Sequence, residues 1–127
     1  MAGRVVHFEL TYDDGDRAAS FYQQVFGWET MSLPEMSYTL VNSGPSGDQG
    51  PSEPGFINGG MMQSEEPFTG TNIVVDVDNI EEALAAVNAA GGSTVMERDP
   101  VGDMGFSAYF RDTEGNLVGL WESAPQT

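Results

Sequence analysis

The sequence predicts an α+β fold built from two βαβββ modules in tandem, and three observations carry that prediction. The stretch Asp13–Glu29 (DDGDRAASFYQQVFGWE) has a weaker second copy at Asp78–Thr94 (DNIEEALAAVNAAGGST). Both run from an acidic start through an apolar helical stripe to a glycine and a new strand. Each copy follows a short alternating strand, RVVHFELTY or TNIVVDVD, and each leads into strands with turn punctuation. One unit used twice is therefore expected, over residues 1–63 and 71–127, with 64–70 (SEEPFTG) as linker inside a single domain of 127 residues.

The elements follow in order. In Arg4–Tyr12 the residues Val6, Phe8 and Leu10 make one apolar face, while His7 and Glu9 share the other. Asp14 is a good N-cap for a helix over Gly15–Phe26. Its stripe of Ala18, Phe21, Tyr22, Val25 and Phe26 is expected to face the core, and Gly27 suits the closing left-handed position. Strands are expected at Trp28–Leu33 and Tyr38–Asn42. A long irregular, mobile segment follows at Ser43–Gly55, then a strand at Phe56–Gln63, where Gly59 and Gly60 invite close approach of another backbone. In the second unit Ile73, Val75 and Val77 form the apolar face of the first strand, with Asn72, Val74 and Asp76 opposite. Asn79 with Glu82 has capping-box spacing, with Asp78 and Glu81 as the other register. Ile80, Ala83, Leu84 and Val87 line one side of the helix, which ends at Gly91-Gly92. Strands at Ser93–Arg98, Phe106–Arg111 and Leu117–Ser123 complete the unit, the last two joined by the DTEGN turn. A helix on one face of each module leaves the other face bare. The two modules must pair, with those faces curved around a shared cavity.

Bulk properties narrow the function classes. This length buries roughly two-thirds of the unfolded chain's surface in one core. The absence of cysteine removes disulfides and thiolate metal sites and fits a reducing cytoplasm. No apolar run approaches the ~20 residues of a membrane span, and the N-terminus lacks a signal-peptide core. A soluble cytoplasmic protein is the expectation. Twenty acids against four arginines give a net charge of −16, which excludes nucleic acid and other polyanions as partners. The acidity itself reads either as a solubilising, salt-adapted surface or as a site that attracts cations.

HFEL followed by DD, the helix end FYQQVFGW, NIVVDVDNIEEAL with GG, and FRDTEGNLVGLWE resemble the vicinal oxygen chelate superfamily. That group includes glyoxalase I, fosfomycin-resistance proteins, extradiol dioxygenases and bleomycin-resistance proteins. The resemblance covers almost the whole chain and is closest to small glyoxalase-like members. It implies curved mixed sheets around a cavity with helices outside, and a homodimer. In metal-using members four symmetry-related positions supply ligands. Carried over, these are His7 and Asn72 on the first strands, and Gln63 and Glu122 on the last strands, matching GGMMQ to VGLWE. Strand alternation independently puts His7 and Asn72 on the faces away from their helices.

The resemblance thus implies a divalent ion (Ni, Zn, Mn or Co), polarising adjacent oxygens of a small substrate in a lyase or isomerase reaction. Glu122 and Glu9 are the candidate acid–base groups, Glu9 as a base, as the group orienting His7, or as the partner of an arginine. A single histidine cannot build a 2-His-1-carboxylate iron site, so a ring-cleaving dioxygenase is disfavoured. Fosfomycin modification and an anionic glutathione adduct are poorly served by four arginines. The alternative is a metal-free binding protein that sequesters a hydrophobic or cationic small molecule, as bleomycin-resistance relatives do. Tyr38, Phe56, Met61, Met104, Phe106 and Trp121 are candidates to line such a cavity, when not simply core.

Overall fold

A computed structural model of the protein describes residues 3–125; the outermost positions of the two repeats, 1–2 and 126–127, lie outside the described residues. The architecture is α+β. The chain forms two compact units. His7–Thr71 makes the first, and the residues through Val6 join those from Asn72 onward in the second.

The first unit contains most of β1 (Arg4–Tyr12), then α1 (Gly15–Phe26), β2 (Glu29–Leu33), a 3-10 turn (Pro34–Met36), β3 (Tyr38–Asn42), β4 (Ser46–Gly47), β5 (Gly50–Pro51) and β6 (Asn58–Gln63). Its sheet order is β2-β3-β6-β1. β1 and β6 run parallel, in the register Phe8↔Gly59, Glu9↔Gly60, Tyr12↔Gln63, and β3 lies antiparallel to β6. The predicted caps of α1 form: Asp14 Oδ1 accepts from Arg17 N–H at 3.0 Å, and Gly27 closes the helix at φ 70°.

The core-facing stripe expected on α1 is corrected. The helix has no buried residue, and Phe21, Val25 and Phe26 are 55, 53 and 62% exposed. Tyr22 makes the main contact, stacked on Trp28 with ring centroids 4.8 Å apart, while Phe8 tilts onto the same indole at 5.7 Å. Five apolar positions span a wider arc than one indole and one phenyl ring can cover. The Ser43–Gly55 segment also differs from its irregular expectation. It carries the β4–β5 ladder and is tied at its neck, where Ser43 N–H donates to Asn58 Oδ1 and Asn58 Nδ2 donates to Ser46 Oγ.

The second unit holds β7 (Asn72–Asp76), α2 (Ile80–Ala89), β8 (Ser93–Val101), β9 (Gly105–Arg111) and β10 (Leu117–Ser123), ordered β7-β10-β9-β8. β10 is parallel to β7 and antiparallel to β9, the same pattern as in the first unit. Asn79 Oδ1 caps α2 through Glu82 N–H at 2.9 Å. Ile80 and Leu84 of α2 pack with Ala108 and Leu120 into a buried cluster flanked by Val75, Val77, Phe106 and Phe110. Each isoleucine or leucine side chain of this kind contributes about 1.5–3 kcal/mol when fully buried. β8 extends past Arg98 to Val101, with register shifts between Thr94 and Asp99.

Candidate functional site

Strand alternation decides which side chains can meet. In the first unit Phe8, Leu10 and Tyr12 of β1 lie on the face that carries α1, and His7 and Glu9 lie on the other. β3 and β6 continue this second face with Tyr38, Leu40, Gly60 and Met62, because paired residues on adjacent strands share a face. Here the Tyr38 hydroxyl sits between two polar groups, 2.8 Å from His7 Nε2 and 2.9 Å from Glu9 Oε2. The His7 and Tyr38 rings are nearly parallel, at 18°. Glu9 is 4% exposed.

Tautomer and charge follow from this geometry. The Tyr38 hydroxyl donates to the Glu9 carboxylate, so its oxygen accepts from His7, and the imidazole proton lies on Nε2. Nδ1 then keeps its lone pair. Burial draws the His7 imidazole below its ordinary pKa, and the Glu9 carboxylate opposes that shift more weakly. The result is a neutral imidazole with a fixed tautomer and one basic nitrogen, backed by a carboxylate through a phenol. Such an arrangement accepts a proton from a bound molecule or holds a ligand's N–H or O–H.

The four proposed metal ligands separate by face. Gln63 pairs with Tyr12 and so lies on the helix-bearing face, opposite His7; its Nε2 donates to the Asp13 carbonyl at 3.2 Å. In the second unit Glu122 has the parity of Leu120 and pairs with Phe106, both on the α2 face. Its Oε1 accepts from Ile80 N–H at 2.9 Å, and Arg98 holds both oxygens, Nε–Oε1 at 3.2 Å and Nη2–Oε2 at 2.8 Å. These bonds, the one from Arg98 foremost, keep the Glu122 carboxyl below the usual range. Asn72 lies on the opposite face with Val74 and Gly119, 5% exposed, and neither of its amide atoms has a hydrogen-bond partner among the described residues.

This donor set does not fit a divalent ion. Glu122 is already neutralised by a guanidinium, His7 Nε2 is engaged by Tyr38, and Gln63 and Asn72 are neutral amides. Among the described residues no three His, Asp or Glu side chains gather as a metal site. Of the proposed cavity residues, Tyr38 joins the His7 cluster. Met61 is 1% exposed in the core, on the face opposite His7. Phe56 covers Gly44 within the loop, Phe106 lies under Arg98 with the guanidinium 3.6 Å from its ring centre, and Met104 is 55% exposed. Trp121 lies on the face of Gly105 and Ser107, and its Nε1 donates to Ser123.

Sequence reasoning singles out Gly60 for backbone approach and misses its place beside the Tyr38 hydroxyl. At Gly59 the Phe8 carbonyl oxygen comes as close as the Phe8 ring, the backbone approach expected there, whereas at Gly60 it is the Tyr38 side chain that fills the space. The available signal was alternation, since adjacent glycines in one strand open space on both faces.

Comparison with known proteins gives a consistent group. The family profile described as bleomycin resistance protein-like N-terminal matches residues 4–44. A lactoylglutathione lyase of Haemophilus influenzae is 32% identical over 94% of this chain and 93% of its own length. A probable lactoylglutathione lyase of Vibrio parahaemolyticus is 30% identical over 93% and 89%. The solved structure of a Streptomyces coelicolor methylmalonyl-CoA epimerase superimposes with a TM-score of 0.67 at 17% identity, covering 98% of this chain and all of that one. That last likeness is one of fold.

Proposed function

The chain belongs to the vicinal oxygen chelate superfamily, and within it we propose a glyoxalase-like enzyme that moves a proton on a small substrate with adjacent oxygens. The observation that carries this reading is the Tyr38 hydroxyl held between His7 and the buried Glu9 carboxylate. His7 Nδ1 takes the proton from the carbon beside a carbonyl. The C–H electron pair forms the C=C bond of an enediolate, and the negative charge moves to the carbonyl oxygen, where the substrate's neighbouring hydroxyl bonds to it. The hydroxyl proton passes to that oxygen as its own carbon becomes the new carbonyl, and the imidazolium, steadied by Glu9 through Tyr38, returns the carbon-bound proton to the adjacent carbon. The lyase names of the curated relatives support this reaction class. With four arginines and a charge of −16, a neutral or cationic substrate is favoured over an anionic conjugate.

The test is deuterium uptake from D2O at the carbon beside the carbonyl of hydroxyacetone and of lactaldehyde, followed by proton NMR. Wild-type protein accelerates the uptake, His7→Phe returns it to background, and Glu9→Gln slows it about 100-fold, the lower range for a general base. Wild-type protein that leaves both probes at the background rate overturns the reading.

A second reading, a binding protein for a hydrophobic or cationic molecule, is favoured by the bleomycin-resistance-like match, which contains His7, Glu9 and Tyr38. Thermal shifts with cationic glycopeptides and aromatic amines, in protein that shows no exchange activity, would select it. A homodimer and a cytoplasmic setting belong to the same proposal. The apolar side chains exposed on α1 and the lack of cysteine support them. Among the described residues no helix is long and apolar enough to cross a membrane.

A further inference from the structure

We infer that Gly60 is a positioning residue of the His7 site, its missing side chain being the seat of the Tyr38 hydroxyl. The inference deepens the proposed function and rests on the His7–Tyr38–Glu9 contacts described above. Tyr38 belongs to β3 and Glu9 to β1, and β6 runs between them. Neighbouring strands lie about 4.8 Å apart, so the two backbones are separated by about 10 Å. The tyrosine can reach His7 and Glu9 only by lying across the backbone of β6. It crosses at Gly60, the residue that pairs with Glu9 on one side and Leu40 on the other. A Cβ built at Gly60 would fall within the Tyr38 hydroxyl and ring, and the three atoms nearest to it all belong to Tyr38.

Two further facts isolate the cause. Gly60 is not among the positive-φ glycines, so its backbone makes no demand for glycine. Gly59, beside it, serves the other face, where Phe8 ring atoms would lie 2.5 Å from an added Cβ. The two glycines therefore have separate tasks, one in packing and one at the site.

The chain has one histidine, so the ring nitrogens of His7 can be followed by 15N NMR in the whole protein without a ligand. In wild type, Nε2 carries the proton and the ring titrates below its ordinary value. Gly60→Ala displaces Tyr38 and admits water, which raises the titration midpoint above that of wild type and erases the single-tautomer pattern. Tyr38→Phe also alters the pattern. If Tyr38→Phe leaves His7 as in wild type, the relay and the proposed function built on it fall together. If Tyr38→Phe changes His7 and Gly60→Ala does not, the inference alone falls.

A Gly60→Ala protein too unstable to examine is covered by a second pair. Adding Gly60→Ala to Tyr38→Ala should leave both the melting temperature, within about 1 °C, and the His7 titration of the Tyr38→Ala protein unchanged. A large further loss of melting temperature there would show that the glycine serves something other than the tyrosine, and would overturn the assignment.

Discussion

Arg98 grips both carboxylate oxygens of Glu122 on the face of the second unit that carries α2. The guanidinium carbon lies over the Phe106 ring, and the same carboxylate receives the first N–H of α2 from Ile80. One acidic side chain thus joins a strand, a helix N-terminus and an arginine. Its negative charge also faces the positive end of the helix dipole. Those duties use both acceptor sites of Oε1 and one on Oε2, and the guanidinium already balances the charge that a metal would need.

The pair gives stability a definite pH dependence. Glu122 has its folded-state pKa lowered, so its contribution is fully present above the unfolded carboxyl value of about 4.3 and disappears as pH falls through the folded value. Arg98→Met should therefore lower the urea midpoint at pH 7, less so in high salt, and make little difference near pH 2. An Arg98→Met deficit of equal size at both pH values would contradict the assignment.

His7 titrates in a separate window with its own sign. Burial lowers its folded-state pKa, so below about 6.5 the unfolded chain takes up a proton that the folded chain still refuses. Stability attributable to His7 is present above pH 6.5 and is lost as pH falls through the folded value. Urea midpoints measured between pH 7.5 and 5 should show this decline in wild type and a smaller one in His7→Gln. Equal slopes in the two proteins would place the titration elsewhere.

Local patterns in the chain foretold the elements well, because caps and alternation are written in adjacent residues. Asp14, Gly27 and Asn79 behave as their positions demand, and His7 and Glu9 do share a face. The site was less legible. Repeat symmetry matches Gln63 to Glu122, relating one unit to the other. That match is silent about which sheet face either residue occupies. Counting by twos along β6 and β10 instead selects Asn58, Gly60 and Met62 for the face of His7, and Gly119 and Trp121 for that of Asn72, and the glycines among them advertise no chemistry. Tyr38 entered only as an apolar wall, since its reach across β6 depends on a register fixed by long-range pairing.

Asn72 provides a test of a buried amide. Both of its amide atoms are unpartnered among the described residues at 5% exposure, a condition that costs about 1–3 kcal/mol for each unsatisfied group. Asn72→Leu, close in volume, should raise stability by about 1 kcal/mol in ligand-free protein, read from the urea midpoint at constant m-value. A loss of 2 kcal/mol or more would mean that the amide is hydrogen-bonded in solution.

The two helices should respond in opposite ways to truncation. Ile80 of α2 is fully buried among Leu84, Ala108 and Leu120, and Ile80→Ala should cost about 2–5 kcal/mol. Phe21 of α1 is 55% exposed in the single chain, so Phe21→Ala should cost under about 1 kcal/mol when unfolding is measured on monomers. A homodimer covering α1 alters only the second result. Phe21→Ala would then shift the protein toward monomer in sedimentation equilibrium, and its stability deficit would grow with protein concentration. A Phe21→Ala deficit as large as that of Ile80→Ala, independent of concentration, would mean that α1 packs far more deeply in the chain than its exposure indicates.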